Sequence, residues 1–141
     1  MMLIKKTDWN ILLDEFIAKN RFKGFAWGSW DCCKFANACI KAMTGKDLIP
    51  KELKWKTEEE AMQSIKEYGK TLSKSIAKAC KEKGVMQVDK AFMQKGDLVV
   101  YKEESELVGI SDGFKVLTPS DEMVLAKQNV NIISVWRVSN G

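Results

Sequence analysis

Histidine does not occur in this sequence. Its absence excludes Ser-His-Asp and Cys-His catalysis, histidine-ligated zinc, and pH switching by imidazole. Arginine is nearly as scarce, present only at Arg21 and Arg137. The planar fork that grips phosphates is therefore almost missing, and a net charge of +4 is mild. Nucleic acid is not the expected partner. The only prolines are Pro50 and Pro119, and no low-complexity stretch or linker divides the chain. No apolar run approaches the ~18 residues of a membrane span. The start, Met1 to Lys6, lacks the apolar core of a signal peptide, so synthesis in the cytoplasm without export is expected. The 4 cysteines (Cys32, Cys33, Cys39 and Cys80) show neither the spread of a disulfide scaffold nor paired zinc-ligand spacing. No metal or other cofactor is expected.

What remains is an ordinary globular composition: 141 residues, 45% hydrophobic and 30% charged. That length suits a single domain, residues 1–141, which buries roughly two-thirds of its unfolded surface. The first half has helical periodicity. Trp9, Leu12, Leu13, Phe16 and Ile17 follow the i, i+3, i+4 rule, which predicts a helix from Asp8 to about Asn20, capped by Thr7 or Asp8. A loop rich in aromatics and glycine runs from Arg21 to Trp30. Asp31 is a good N-cap for a second helix to about Met43, with Phe35, Cys39 and Met43 as its apolar stripe and Gly45 as its stop. Thr57 and Glu60 read as a capping box opening a third helix that ends near Tyr68, with Gly69 as stop. A fourth, about Thr71 to Lys83, carries Leu72, Ile76 and Cys80 on one face.

The period changes after residue 96. Asp97–Tyr101, Leu107–Ser111, Phe114–Leu117, Met123–Ala126 and Ile132–Val138 read as strands. Asp112-Gly113 reads as a two-residue hairpin turn. Helices first and a meander afterwards predict an α+β domain, its N-terminal helices packed on an antiparallel sheet.

The most distinctive stretch is Phe25-Ala26-Trp27-Gly28-Ser29-Trp30-Asp31-Cys32-Cys33. It puts Cys32 in the first turn of a helix, where unpaired N–H groups and the helix dipole favour the thiolate. The alternative reading is that Cys32 is simply a small buried hydrophobe. The adjacent Cys32 and Cys33 should point to different sides of their helix. Trp27 and Trp30 either pack as core or, if exposed, serve as interface anchors. Trp55 lies in a basic loop, Lys51 to Lys56, and is a third candidate interface aromatic.

The W-G-x-x-D-C run before a helix resembles the nucleophile motif of NlpC-type cysteine peptidases, the papain-like cell-wall hydrolases. In that resemblance Cys32 takes the nucleophile position. Those enzymes carry a downstream H-V-G-I strand whose histidine is the base. Here the strand reads Leu107-Val108-Gly109-Ile110, so Leu107 occupies the histidine position. The chain resembles more closely a set of small phage and prophage proteins of that fold group. The likeness lies in the Trp9–Ile17 helix, the F-x-W-G-x-x-D-C loop and a terminal Trp136-Arg137-Val138 strand. It implies a papain-like fold, a tail-tip or baseplate location in a virion, and other phage tail proteins as partners.

A cysteine hydrolase needs a base to hold the thiolate and an acid to protonate the leaving amine, worth about 10² to 10⁴ in rate. The helix terminus can help with the first task but not with the second, and Asp31 beside Cys32 works against ionisation. Three readings follow. The first is a catalytically degenerate virion adaptor with an occluded cleft at Cys32. The second is a cysteine hydrolase acting on peptidoglycan peptides through a non-histidine base, with an open cleft. The third is a host-directed binding protein using the Trp-rich loop.

Overall fold

A computed structural model describes residues 2–141. Four helices precede the sheet: α1 (Trp9–Asn20), α2 (Cys32–Thr44), α3 (Glu58–Gly69) and α4 (Leu72–Glu82). The strands are β1 (Met86–Val88), β2 (Leu98–Lys102), β3 (Glu106–Ser111), β4 (Val116–Pro119), β5 (Val124–Lys127) and β6 (Asn131–Arg137). All pairs are antiparallel, in the order β1-β6-β2-β3-β4-β5. The architecture is the expected α+β arrangement.

Helix α2 forms where its signals fall. Asp31 caps it through Lys34 N–H, and Gly45 closes it at a left-handed φ of 82°. Its stripe of Phe35, Cys39 and Met43 is wholly buried, packed with Leu98, Val108, Ile110 and Trp136 of the sheet. Trp9 and Phe16 of α1 are only half-buried against this core, and Leu13 is the side chain that α1 buries fully. Asp8 holds the cap position of α1 without a side-chain cap bond.

Several local expectations are corrected. Gly69 is not a helix stop. It lies inside α3, and the left-handed turn falls on Lys70 at φ 74°. A Cβ at Gly69 would sit 2.6 Å from the Ser75 backbone, so this glycine serves the close approach of α4. Asp112-Gly113 is not a two-residue turn. Ser111 pairs with Val116, leaving residues 112–115 as the connection, closed by Asp112 N–H to Lys115 O at 3.0 Å. The Asp112 side chain favours this longer loop by accepting from Phe114 and Lys115 N–H, and Phe114 projects into solvent. Strand β1 and the 3-10 turn Lys90–Phe92 had no sequence signal, because an edge strand of three largely exposed residues shows no alternation. In the capping box, Glu60 accepts from Lys56 N–H at 2.8 Å, one residue further back than the standard pattern.

The buried thiols give stability a pH dependence. Burial pushes the Cys80 thiol up to about 12, and the Cys39 thiol well above its usual range. An unfolded thiol ionises near pH ~8.5. Above that pH the unfolded chain binds fewer protons than the folded one, so stability falls as pH rises until the folded thiols also ionise. Each group contributes a slope of about 1.4 kcal/mol per pH unit. Urea midpoints should therefore decline above about pH 8.5, and less steeply in Cys39→Ala and Cys80→Ala proteins. A wild-type profile as flat as the variants' would refute this.

Candidate active-site cleft

The aromatic loop is held on two sides. Phe25 N–H donates to Ser120 O at 2.7 Å, and at Gly24 a Cβ would lie 2.3 Å from Asp121 O. Gly28 adopts a left-handed φ of +82°, and a Cβ there would meet Trp55 O at 2.6 Å. Both facts require glycine in the W-G-x-x-D run. Asp31 then gathers three donors. Gly28 N–H (2.9 Å) and the Trp55 indole (2.7 Å) share Oδ2, and Lys34 N–H (2.9 Å) takes Oδ1. One buried carboxylate joins the aromatic loop, the α2 N-terminus and the basic loop. The Lys34 ammonium lies over the Trp55 ring at 4.5 Å.

These constraints shape a cavity of about 470 Å³ at the start of α2. Cys32, Cys33, Trp27, Trp55 and Leu107 all line it, walled on the far side by Ala61, Met62 and Ile65 of α3. Trp27, at 38% exposure, meets Phe25 edge-on at 5.0 Å. Trp30 is different. Expected as an interface aromatic, it is 3% exposed and belongs to the core. It stacks edge-on against Phe35 at 5.3 Å and lies 6.0 Å from Phe16. The capped Asp31 fixes the chain direction, which turns Trp30 inward under α1 while Trp27 faces the cleft.

Cys32 is partly buried in this cleft, between the occlusion of the adaptor reading and the exposure of the hydrolase reading. The two thiols do not diverge as expected for adjacent helix residues. Both line the cavity at the first turn of α2. Cys33, not singled out in the sequence, is thus part of the site, and its adjacency to Cys32 was the available signal. A hydrogen bond from the Cys33 thiol draws the Cys32 thiol below its usual range, helped by a backbone hydrogen bond from Val108, while burial and the Asp31 charge oppose. The Cys33 thiol is correspondingly pushed well above its range.

Leu107 brings an aliphatic side chain, not a titratable group, to the cleft. The carboxylates lining the cavity are Asp31, Glu58 and Glu106. Asp31 is saturated as described. Glu106 accepts from Ser73 N–H at 3.0 Å and so caps α4. Among the described residues, no three Cys, Asp or Glu side chains converge as a metal site, and no helix is long and apolar enough to cross a membrane.

A family profile described as Domain of unknown function (DUF6950) matches residues 4–138, nearly the whole chain. The chain belongs to the DUF6950 family. No curated protein matches it. The matched span contains every element of the DUF6950 domain that builds the cleft, from α1 to β6. It also takes in the terminal Trp136-Arg137-Val138 strand. There Arg137 makes a paired contact with Asp97, Nε to Oδ1 at 2.9 Å and NH2 to Oδ2 at 2.7 Å. Its NH2 also donates to Phe92 O at 2.8 Å. Asp97 is 0% exposed and accepts Gln94 N–H as well, so this arginine serves the fold and not the cleft.

Proposed function

We propose that this chain is a papain-like, NlpC-type domain that has kept its cleft and thiol without acid–base machinery, and that it acts as a binding adaptor. The observation that carries this reading is the cleft itself. It brings Cys32 at a helix N-terminus together with aromatic walls and the aliphatic Leu107, which the resemblance aligns with the base of NlpC-type enzymes. An amide substrate needs its leaving amine protonated. Of the cleft carboxylates, Asp31 and Glu106 are held in structural hydrogen bonds, while Glu58 and the Lys70 ammonium are exposed to solvent at the ends of α3. The Cys33 thiol, with its raised affinity for its proton, is a poor acid.

The resemblance to phage and prophage proteins supports a virion setting, in the tail tip or baseplate, with other tail proteins as partners. Trp27 and Trp55 are then the aromatics available at the cleft mouth, and Trp30 is withdrawn from that role. The partial exposure of Cys32 and its depressed thiol favour the second reading, a cysteine hydrolase, more than full occlusion would have.

Alkylation by iodoacetamide and a cleavage assay test this together. In a protein retaining Cys32 and Cys33, with Cys39 and Cys80 replaced, alkylation of Cys32 should show a midpoint below the usual thiol value of about 8.5. The wild-type chain should release no peptide from peptidoglycan. Steady cleavage, abolished in Cys32→Ser, would replace the adaptor by the hydrolase. The virion placement is tested separately: the chain should co-sediment with purified tail particles, and its absence from them would remove that placement.

A further inference from the structure

The cleft's chemistry fits a ligand that neither hydrolysis nor protein docking calls for. Its walls are overwhelmingly apolar and aromatic, its volume of about 470 Å³ suits a small molecule, and two thiols stand at one end. A second apolar hollow of about 40 Å³ lies on the other side of Cys33, Trp55, Ile65 and Leu72, which line both. A polar cell-wall peptide would leave its amides unpaired in so apolar a cavity. A linear aliphatic chain would not.

The missing acid points the same way. Expelling an amine requires a proton donor, whereas a thioester releases a thiolate, which departs unprotonated. We propose that the cavity is an acyl site in which Cys32 accepts an aliphatic acyl group from a thioester such as an acyl-coenzyme A. The Cys32 thiolate attacks the thioester carbonyl carbon, forming the new C–S bond as the carbonyl electron pair moves to oxygen. The pair returns, the C–S bond to the donor breaks, and the donor leaves as a thiolate carrying the negative charge. No proton donor, oxidant or metal enters the balance. The depressed Cys32 thiol supplies the nucleophile. This inference rests on the reading that the cleft keeps its thiol without acid–base machinery.

The test is incubation of the full chain with octanoyl-coenzyme A, followed by intact-mass measurement. One octanoyl adduct per chain is expected, reversed by neutral hydroxylamine, absent in Cys32→Ser and retained in Cys33→Ser. Acetyl-coenzyme A should react at least about tenfold more slowly, because it buries almost no chain. Met62→Glu, on the exposed part of α3, puts a charge in the wall and should slow octanoylation by about the same factor while the fold persists. Equal rates for acetyl and octanoyl donors, or adducts spread over Cys39 and Cys80, would overturn the proposal. So would the absence of an adduct on a chain whose Cys32 still alkylates with iodoacetamide, and that result would leave the adaptor reading standing. Continuous release of octanoate would support the acyl site and remove the non-enzymatic reading instead. A Cys32 inert to both reagents would overturn the acyl site and leave the adaptor reading with the occluded thiol it first expected.

Discussion

Replacing Arg137 by alanine should cost about 3–5 kcal/mol of folding stability, the loss that follows when one partner of a buried ion pair is removed. The cause is what stays behind. Asp97 is fully buried and would retain only the Gln94 N–H and the field of the buried Lys5 ammonium. Lys5 is a poor substitute: its own pKa is lowered by burial, and it is held over the Trp9 ring at 4.0 Å. Arg137→Lys keeps the charge but loses the paired geometry, so it should fall between the two. Urea denaturation at neutral pH reads this directly. A loss below about 1 kcal/mol, the range of exposed ion pairs, would mean that Asp97 finds water or another partner.

The second large effect is expected at Asp31. Asp31→Ala removes three hydrogen bonds to one carboxylate, two from backbone N–H groups and one from the Trp55 indole. Bonds to a charged acceptor contribute about 1.5–3 kcal/mol each and do not add fully when they share it, so a total near 3–5 kcal/mol is expected. Trp55 should be released, with a red shift of its emission. Asp31→Asn keeps a cap for Lys34 N–H and should cost less. It also removes a negative charge that disfavours the Cys32 thiolate, so the midpoint of Cys32 alkylation should move to lower pH. A midpoint that moves up would mean that Asp31 activates the thiol, and the structural role argued for it would be wrong.

How much was legible in the sequence follows from the distance over which each feature acts. The Phe35–Cys39–Met43 stripe, the Asp31 cap and the Gly45 stop are determined within a turn or two of helix, and each stands where periodicity put it. Gly69 and Lys70 could not be assigned, because Ser75 of the next helix decides which of them must be the glycine. Trp27 and Trp30 are three residues apart with the same chemistry. Only the packing of Phe16 and Phe35 selects the buried one. The Trp55–Asp31 and Arg137–Asp97 contacts join residues 24 and 40 positions apart, and no local pattern announces either. Arg137, between Trp136 and Val138, reads by strand alternation as an outward-facing residue, so its buried partner could not be foreseen. The cleft was legible at Cys32 and Leu107 from the family resemblance. Its walls on α3 were not, since they arise from how α3 is set across the first turn of α2.

The triple anchoring of Asp31 bears on what would persist in such a domain if an activity were lost. If the W-G-x-x-D run is required to seat a loop, a helix end and a distant tryptophan, selection for foldability alone will preserve it after the chemistry has gone. The motif is then inherited as scaffolding, and it survives in descendants whatever becomes of the reaction. Residue 107 takes no part in that anchoring; its side chain packs beside Val99, Tyr101 and Val116, where another apolar residue would serve. Among relatives of this chain, the glycine and aspartate before the cysteine should therefore persist even where position 107 varies.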